Sequence, residues 1–264
     1  MATIARKAAT RKRRPAAPKV SLERALSKLG LASRSEARAL IEQGRVAIDG
    51  KVAANPSLRV TPERLAITID ERSQHAVSQF TIVLHKPRGY VTTRSDPEGR
   101  KTVYDLLADV PLRVMPVGRL DLATSGLLIL TSDTQFANWL TDPRTGVPRV
   151  YLVTVEGRVS IEVVRQLTDG IVVDGERLAA SAAELRKASS RESHLTLTLS
   201  EGKNREVRRL LEAVGHPVTR LRRVQFGGLE LGDLAPGAWR QISSEELRRA
   251  FPGYQPRRRE PSPK

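Results

Sequence analysis

Gly118-Arg119-Leu120-Asp121, followed by Leu122-Ala123-Thr124-Ser125-Gly126 and the apolar run Leu127-Leu128-Ile129-Leu130, sets one carboxylate beside one arginine in a polar loop ahead of a buried strand. A carboxylate kept ionised at such a mouth is suited to act as a nucleophile or a base. A second constellation follows the loop Ser200-Glu201-Gly202-Lys203. From Asn204 the sequence predicts a helix whose Val207, Leu210, Leu211 and Val214 fall at i, i+3, i+4 and i+7, stopped by Gly215 with Pro217 beyond. At about 100° per residue Arg208 falls at the edge of that stripe, where it can reach into a cleft and pair with a carboxylate; Arg205 and Arg209 lie farther round. A guanidinium does not give up its proton, so such a partner would hold a desolvated aspartate anionic. Arg205 and Arg209 read equally as a solvated basic face or as contacts to a phosphate backbone. Tyr151, in Val150-Tyr151-Leu152-Val153, reads on its own as a core tyrosine with a satisfied hydroxyl.

These groups need a scaffold. Strands are predicted at Thr81-Ile82-Val83-Leu84, 127–131, 150–155, 171–173 and 194–199, interleaved with helices near 133–140, 161–167 and 204–214. The alternation is not strict, which points to an α+β domain with a mixed sheet. Upstream, Ser21 is placed to cap a helix carrying Leu22, Ala25, Leu26 and Leu29, with Gly30 as its stop. Ser33 and Glu36 form a capping box opening a second helix through Ala37, Leu40 and Ile41 to Gly44. Val46-Ala47-Ile48, Asp49-Gly50 and Lys51-Val52 then spell a hairpin, because Asp-Gly suits a primed turn. On this module Arg34 and Arg38 lie one turn apart and Arg45 and Lys51 flank the hairpin, a face suited to RNA or simply to solvent.

The chain has 264 residues, 45 Lys and Arg against 29 Asp and Glu, and a net charge of +16. Such an excess predicts a polyanionic partner, most simply nucleic acid, with salt-sensitive binding. Seven basic residues and no acid occupy residues 1–19, and Arg257, Arg258, Arg259 and Lys264 crowd the end, so both termini read as disordered basic extensions. With no cysteine, disulfide and thiolate chemistry are excluded, and a reducing cytoplasm is the default location. No apolar segment has membrane-spanning length. The four histidines are scattered without zinc spacing, and no phosphate-cradling or dinucleotide loop occurs, so neither metal nor nucleotide cofactor is expected. Arg220, Arg222 and Arg223 extend an RNA track or form one exposed strand face. Polar residues 71–79 read as a linker, which divides the chain into a basic arm (1–19), a small domain (20–75), a larger α+β domain (80–250) and a basic tail (251–264).

Over roughly residues 20–70 the helix-helix-hairpin pattern resembles the S4-type RNA-binding domain. It departs at Asp49, where Asn is usual, and at Ser35, where a second Arg is common. The segments Lys86-Pro87-Arg88-Gly89, Met115-Pro116-Val117, Gly118 to Leu128, Val150 to Val153 and Glu201-Gly202-Lys203-Asn204-Arg205-Glu206-Val207-Arg208-Arg209 resemble, in order, the motifs of ribosomal RNA pseudouridine synthases that pair an S4-type domain with a catalytic one. The likeness spans about residues 20–240.

That resemblance implies an isomerase that needs no cofactor. It matches Asp121 to the catalytic aspartate, Tyr151 to the tyrosine that stacks on the target base, and Arg208 to the basic residue paired with the aspartate. Arg119 matches the arginine that helps replace a flipped-out nucleotide, and with Arg34, Arg38, Arg45, Lys51, Lys203, Arg205 and Arg209 it makes up the expected RNA-binding set. Glu206 stands where Gln is usual and Arg149 where Lys is common; neither is expected to touch the chemistry, but Glu206 is expected to put a negative charge near the site. The expected partner is ribosomal RNA within a pre-ribosomal particle, with large-subunit 23S RNA favoured over 16S and a monomeric enzyme. The alternative from another class is a non-catalytic RNA-binding ribosome-assembly factor. A sequence-specific DNA binder is disfavoured, because the second helix lacks base-reading side chains and the hairpin would obstruct a major groove.

Overall fold

The computed structural model describes residues 19–62, 65–74, 79–110 and 113–255. They divide into two compact units, one before residue 78 and one after it. The expected basic arm, apart from Lys19, and the tail from residue 256 lie outside the described residues.

In the first unit β1 (Val20–Ser21) leads into α1 (Leu22–Lys28) and α2 (Arg34–Glu42), followed by β2 (Val46–Ile48), β3 (Lys51–Val52), β4 (Arg59–Val60), β5 (Ile67–Ile69) and β6 (Arg72–Gln74). The capping box forms as its sequence predicts: the Glu36 N–H donates to Ser33 Oγ at 3.2 Å and the Ser33 N–H to Glu36 Oε2 at 2.9 Å. Ser21 occupies the N-cap of α1, but its side chain makes no capping hydrogen bond. The Asp49-Gly50 turn takes positive φ at both residues, the primed geometry that matches strand twist, and β2 pairs with β3 across it. Leu22, Ala25, Leu26, Ala37, Ile41, Val46 and Ile67 close a core of their own. Residues 72–74, read from sequence as linker, instead form an edge strand on β5. The strand is polar throughout and turned at Asp70-Glu71, so it carries no hydrophobic alternation to announce it.

The second unit is built on a mixed sheet in the order β13-β14-β10-β15-β9-β7-β17. These are β7 (Thr81–Lys86), β9 (Thr124–Thr131), β10 (Arg149–Glu156), β13 (Ala182–Ala188), β14 (Glu192–Leu199), β15 (Val218–Phe226) and β17 (Trp239–Gln241), with β8 (Met115–Pro116) paired to β9 and β16 (Leu229–Glu230) paired to β15. The β9–β15 pairing is parallel and the other pairings are antiparallel. A separate hairpin joins β11 (Ile171–Val173) to β12 (Glu176–Leu178).

Helices cover both faces of the sheet, which explains the sequence patterns. Along β9, Leu128 and Leu130 enter a core shared with α4 (Ile161–Asp169) and α5 (Glu206–Ala213), while Leu127 and Ile129 enter one shared with α3 (Thr134–Thr141) and α6 (Ser244–Ala250). A strand buried on both sides reads as a continuous apolar run. On β14, Ser193, Leu195, Leu197 and Leu199 are buried and their neighbours half-exposed, hence its alternation. Phe251 and Tyr254, assigned from sequence to the tail, pack edgewise and tilted against Phe136 and Trp139, and the Tyr254 hydroxyl donates to Asp133 at 2.8 Å. Among the described residues no helix is long and apolar enough to cross a membrane.

Candidate active site

The loop carrying Asp121 is fixed through its backbone. Leu120 is its apolar anchor, buried in the core beneath. The Thr92 hydroxyl donates to the Leu120 carbonyl at 2.9 Å and accepts the Leu120 N–H at 3.3 Å. The Gly89 N–H donates to the Leu122 carbonyl, and the Thr124 N–H to the Asp121 carbonyl. Lys86, the last residue of β7 and fully buried, sends its ammonium to the carbonyls of Thr124 (2.8 Å), Asp121 (3.0 Å) and Pro87 (3.1 Å). Burial pushes its pKa down to about 8 against the opposing pull of the Asp121 charge.

On the far side of the loop, Gly126 takes φ +110°, and a Cβ there would stand 2.1 Å from the Arg223 carbonyl oxygen. The parallel strands therefore approach at this residue more closely than any side chain permits. This contact seats the start of β9 directly against β15.

The Asp121 side chain, 37% exposed, meets two guanidinium groups. Arg208 Nε lies 3.8 Å and Arg205 Nη1 3.7 Å from Oδ2, Coulombic pairs just beyond hydrogen-bond reach. Arg208 is held from behind, Nη1 donating to the Val218 carbonyl and Nη2 toward that of Ala123, and burial lowers its pKa. The partly buried ion pair read from the helix periodicity is therefore present. Arg205 also reaches Asp121, which the periodicity does not predict. The helix starts at Glu206 and not at Asn204, so Arg205 sits before the first turn with a left-handed backbone, φ +47°.

Tyr151, 9% exposed, lies on β10 between Leu197 and Arg223 in register. It lines one open cleft of about 270 Å³ together with Arg119, Asp121, Lys203, Arg205 and Arg208. Arg209 does not line it. That side chain pairs with Glu176 at 2.7 Å and Asp174 at 3.7 Å, tying α5 to the β11–β12 hairpin. Lys203 lines the cleft but is engaged by Glu201 at 2.8 Å and Glu176 at 3.8 Å. In the first unit Arg34 and Lys51 are exposed, whereas Arg38 pairs with Glu23 and Arg45 binds Asp70 through two hydrogen bonds of 2.6 and 2.7 Å.

The two departures from the family pattern, Arg149 and Glu206, both line the cleft, as the negative charge expected near the site from Glu206 implies. Arg149 is buried and donates to the carbonyls of Leu140, Val147, Ser200 and Glu201, clasping β10 to the loop ahead of α5. Burial raises the Glu206 carboxyl pKa, and Oε2 accepts the Lys203 N–H. Lys86, Thr92 and Thr124 are further site residues to which the sequence assigned no role, and Arg223, read as part of an RNA track or an exposed strand face, is instead buried in the cleft. Lys86 leaves a trace, a cation just past the apolar run Ile82-Val83-Leu84 of its strand.

A two-faced mixed sheet thus carries a cleft rich in arginine, in which Asp121 meets two guanidinium groups and Tyr151 lies buried alongside. Residues 80–213 match the family described as RNA pseudouridylate synthase, and residues 21–64 match the S4 domain. The chain belongs to the RNA pseudouridylate synthase family, isomerases that convert uridine in RNA into its carbon-linked isomer. It is 38% identical over 245 residues to an uncharacterized RNA pseudouridine synthase of Aquifex aeolicus (strain VF5), covering 91% of this chain and 98% of that one. To the ribosomal large subunit pseudouridine synthase B of Bacillus subtilis (strain 168) it is 36% identical, covering 86% and 94%. A crystal structure of a pseudouridylate synthase superposes with a TM-score of 0.62 at 28% identity, covering 88% and 99%.

Proposed function

We propose that this protein isomerises a specific uridine of large-subunit (23S) ribosomal RNA, with Asp121 as the reacting carboxylate, Tyr151 as the platform for the base and Arg208 as the partner of Asp121. The observation that carries this reading is the convergence of those three side chains on one cleft, with two guanidinium groups within 4 Å of the carboxylate. The choice of RNA is supported by relatives named as ribosomal large subunit pseudouridine synthases. A monomer working in the cytoplasm on a pre-ribosomal particle completes the reading.

The chemistry breaks the bond from ribose C1′ to uracil N1, turns the freed base and joins C1′ to C5; C5 gives up a proton and N1 gains one. Oxidation state does not change, so one carboxylate serves, as nucleophile toward the sugar or as base toward its 2′ proton. Extruding the uridine costs a few kcal/mol, offset by stacking of about 1–3 kcal/mol on an aromatic ring and by pocket contacts. Tyr151, fixed within a strand, offers that ring without ordering cost. Arg119, Arg205, Arg34 and Lys51 supply phosphate contacts, and Arg38, Arg45, Lys203 and Arg209 would first exchange a carboxylate for a phosphate.

Mapping pseudouridine in ribosomal RNA from cells with and without the gene tests the assignment, and one 23S site should vanish without it. Asp121→Asn should abolish product while RNA affinity stays within about twofold, since the carboxylate is not a phosphate ligand. Activity retained by that variant refutes the role of Asp121.

A further inference from the structure

Arg223 is buried in the cleft at 3% exposure, and among the described residues no carboxylate lies within ion-pair distance of it. Its Nε donates to the Leu127 carbonyl at 2.7 Å, and among the described residues Nη2 is buried without a partner and no acceptor bonds Nη1. The guanidinium rests against the Phe226 ring, 5.0 Å from its centre. A buried cation with unused donors is costly to keep unless something completes it. The other buried side-chain polar atoms without partners among the described residues, Thr124 Oγ1 and Arg208 Nε, belong to the same cleft. The three residues that carry this unmet hydrogen-bonding capacity all line one cleft.

Placement indicates which part of the ligand meets Arg223. Asp121 is partly exposed, whereas Arg223 is almost fully enclosed and directly opposite Tyr151 in strand register. A nucleoside whose sugar meets Asp121 points its base inward along Tyr151 toward Arg223. We propose that Arg223 reads the target base, donating from its terminal nitrogens to a carbonyl oxygen of the flipped uracil and retaining the base while it is detached and turned. This rests on the active-site reading given above.

The symmetry of uracil suits such a group. Turning the base about the axis through N3 and C6, so that C5 replaces N1, exchanges O2 with O4. A donor-only guanidinium thus meets a carbonyl oxygen before and after the turn. Cytosine carries an amino group at C4, so in one of the two orientations it sets donor against donor.

The test uses the full-length protein and RNA fragments carrying uridine, 2-thiouridine or 4-thiouridine at the mapped target, followed by single-turnover rates and Kd. Sulfur accepts hydrogen bonds poorly, so the wild type should slow about tenfold or more with each thio-base, the loss of one charge-assisted bond, at nearly constant Kd. Arg223→Met should be slow on uridine, with its thio-to-oxo rate ratio close to one, and Arg223→Lys should recover part of the discrimination. Equal wild-type rates on all three RNAs overturn the proposal without any variant. A folded Arg223→Met that discriminates as the wild type does overturns it too. So does one that loses RNA affinity but keeps the thio effect, which marks a phosphate contact. Should Arg223→Met not fold, Arg223→Lys carries the comparison. Asp121→Asn separates the two readings, because activity in that variant removes the active-site assignment itself, whatever Arg223 does.

Discussion

Thr92 offers the most direct way to move Asp121 without touching it. Its hydroxyl makes both hydrogen bonds to the Leu120 backbone, one residue before the carboxylate. Thr92→Val keeps the β-branched shape and removes both partners, leaving the N–H and carbonyl of a buried residue unpaired. Each orphaned group costs about 1–3 kcal/mol. Thr92 itself is only half-buried, so water relieves part of that loss and a total near 2–3 kcal/mol is expected in urea unfolding. The consequence for rate is larger. A shift of roughly 1 Å in a reacting group costs on the order of a hundredfold, so kcat should fall about ten- to a hundredfold with KM within about twofold. Tritium release from C5-labelled uridine follows the reaction, because C5 loses its hydrogen. Thr92→Ser restores the hydroxyl and should recover most of kcat. If Thr92→Val matches the wild type, or Thr92→Ser is as impaired as Thr92→Val, the hydroxyl does not position the loop and the reasoning fails.

Lys86 should make the enzyme pH-dependent. Its folded pKa, about 8, lies below the ordinary lysine value of 10.5, so between those values the unfolded chain holds more proton and stability rises with pH, by roughly 3 kcal/mol in all, as chemical denaturation should show. Activity moves the other way. Above about pH 8 the amine has too few N–H groups for three carbonyls, so kcat should decline there; a flat profile from about pH 7 to about pH 9 contradicts the clamp, and Lys86→Met should lower kcat and remove the decline. Two glycines flanking Asp121 should respond differently. Gly118, at φ +70° and with open space where a Cβ would stand, should lose about 1–2 kcal/mol on substitution by Ala. Gly126→Ala should lose more than about 3 kcal/mol and abolish activity by parting β9 from β15, and equal urea midpoints for the two variants would show that the close approach carries no energy.

Much of the site is legible in the sequence where periodicity or loop chemistry speaks. The stripe of Val207, Leu210 and Leu211 places Arg208 at the edge of the core, and the apolar run after Gly126 places Asp121 at a strand mouth. What escapes is governed by backbone detail. Arg205 turns inward through a left-handed residue that helical spacing cannot anticipate. The strand β15 carries Arg220, Arg222 and Arg223 and reads as a basic track, yet it is central. Arg223 is enclosed while Arg220 and Arg222 are exposed, and an irregularity between the partners of Val150 and Tyr151 breaks the alternation that would reveal the strand. Arg209 reads as solvent-facing or as a phosphate contact because its carboxylate partners, Asp174 and Glu176, lie far back in the chain, whereas Lys203 is engaged most closely by its near neighbour Glu201. The S4-type module is read more fully, since caps and a two-residue turn are local devices.

The order of β15 and β17 in the sheet has a consequence for synthesis. During translation, β7 and β9 can pair early, and β10 can later find β14, but these two halves stay separate until residues 218–226 emerge and slot between β10 and β9. The outermost strand on β7 is made later still. A nascent polypeptide halted before residue 218 therefore carries two incomplete half-sheets with open edges, and it lacks the strand that brings Tyr151 alongside the start of β9. Every shorter product thus lacks the central strand that joins the two halves, and its open strand edges are exposed to mispairing.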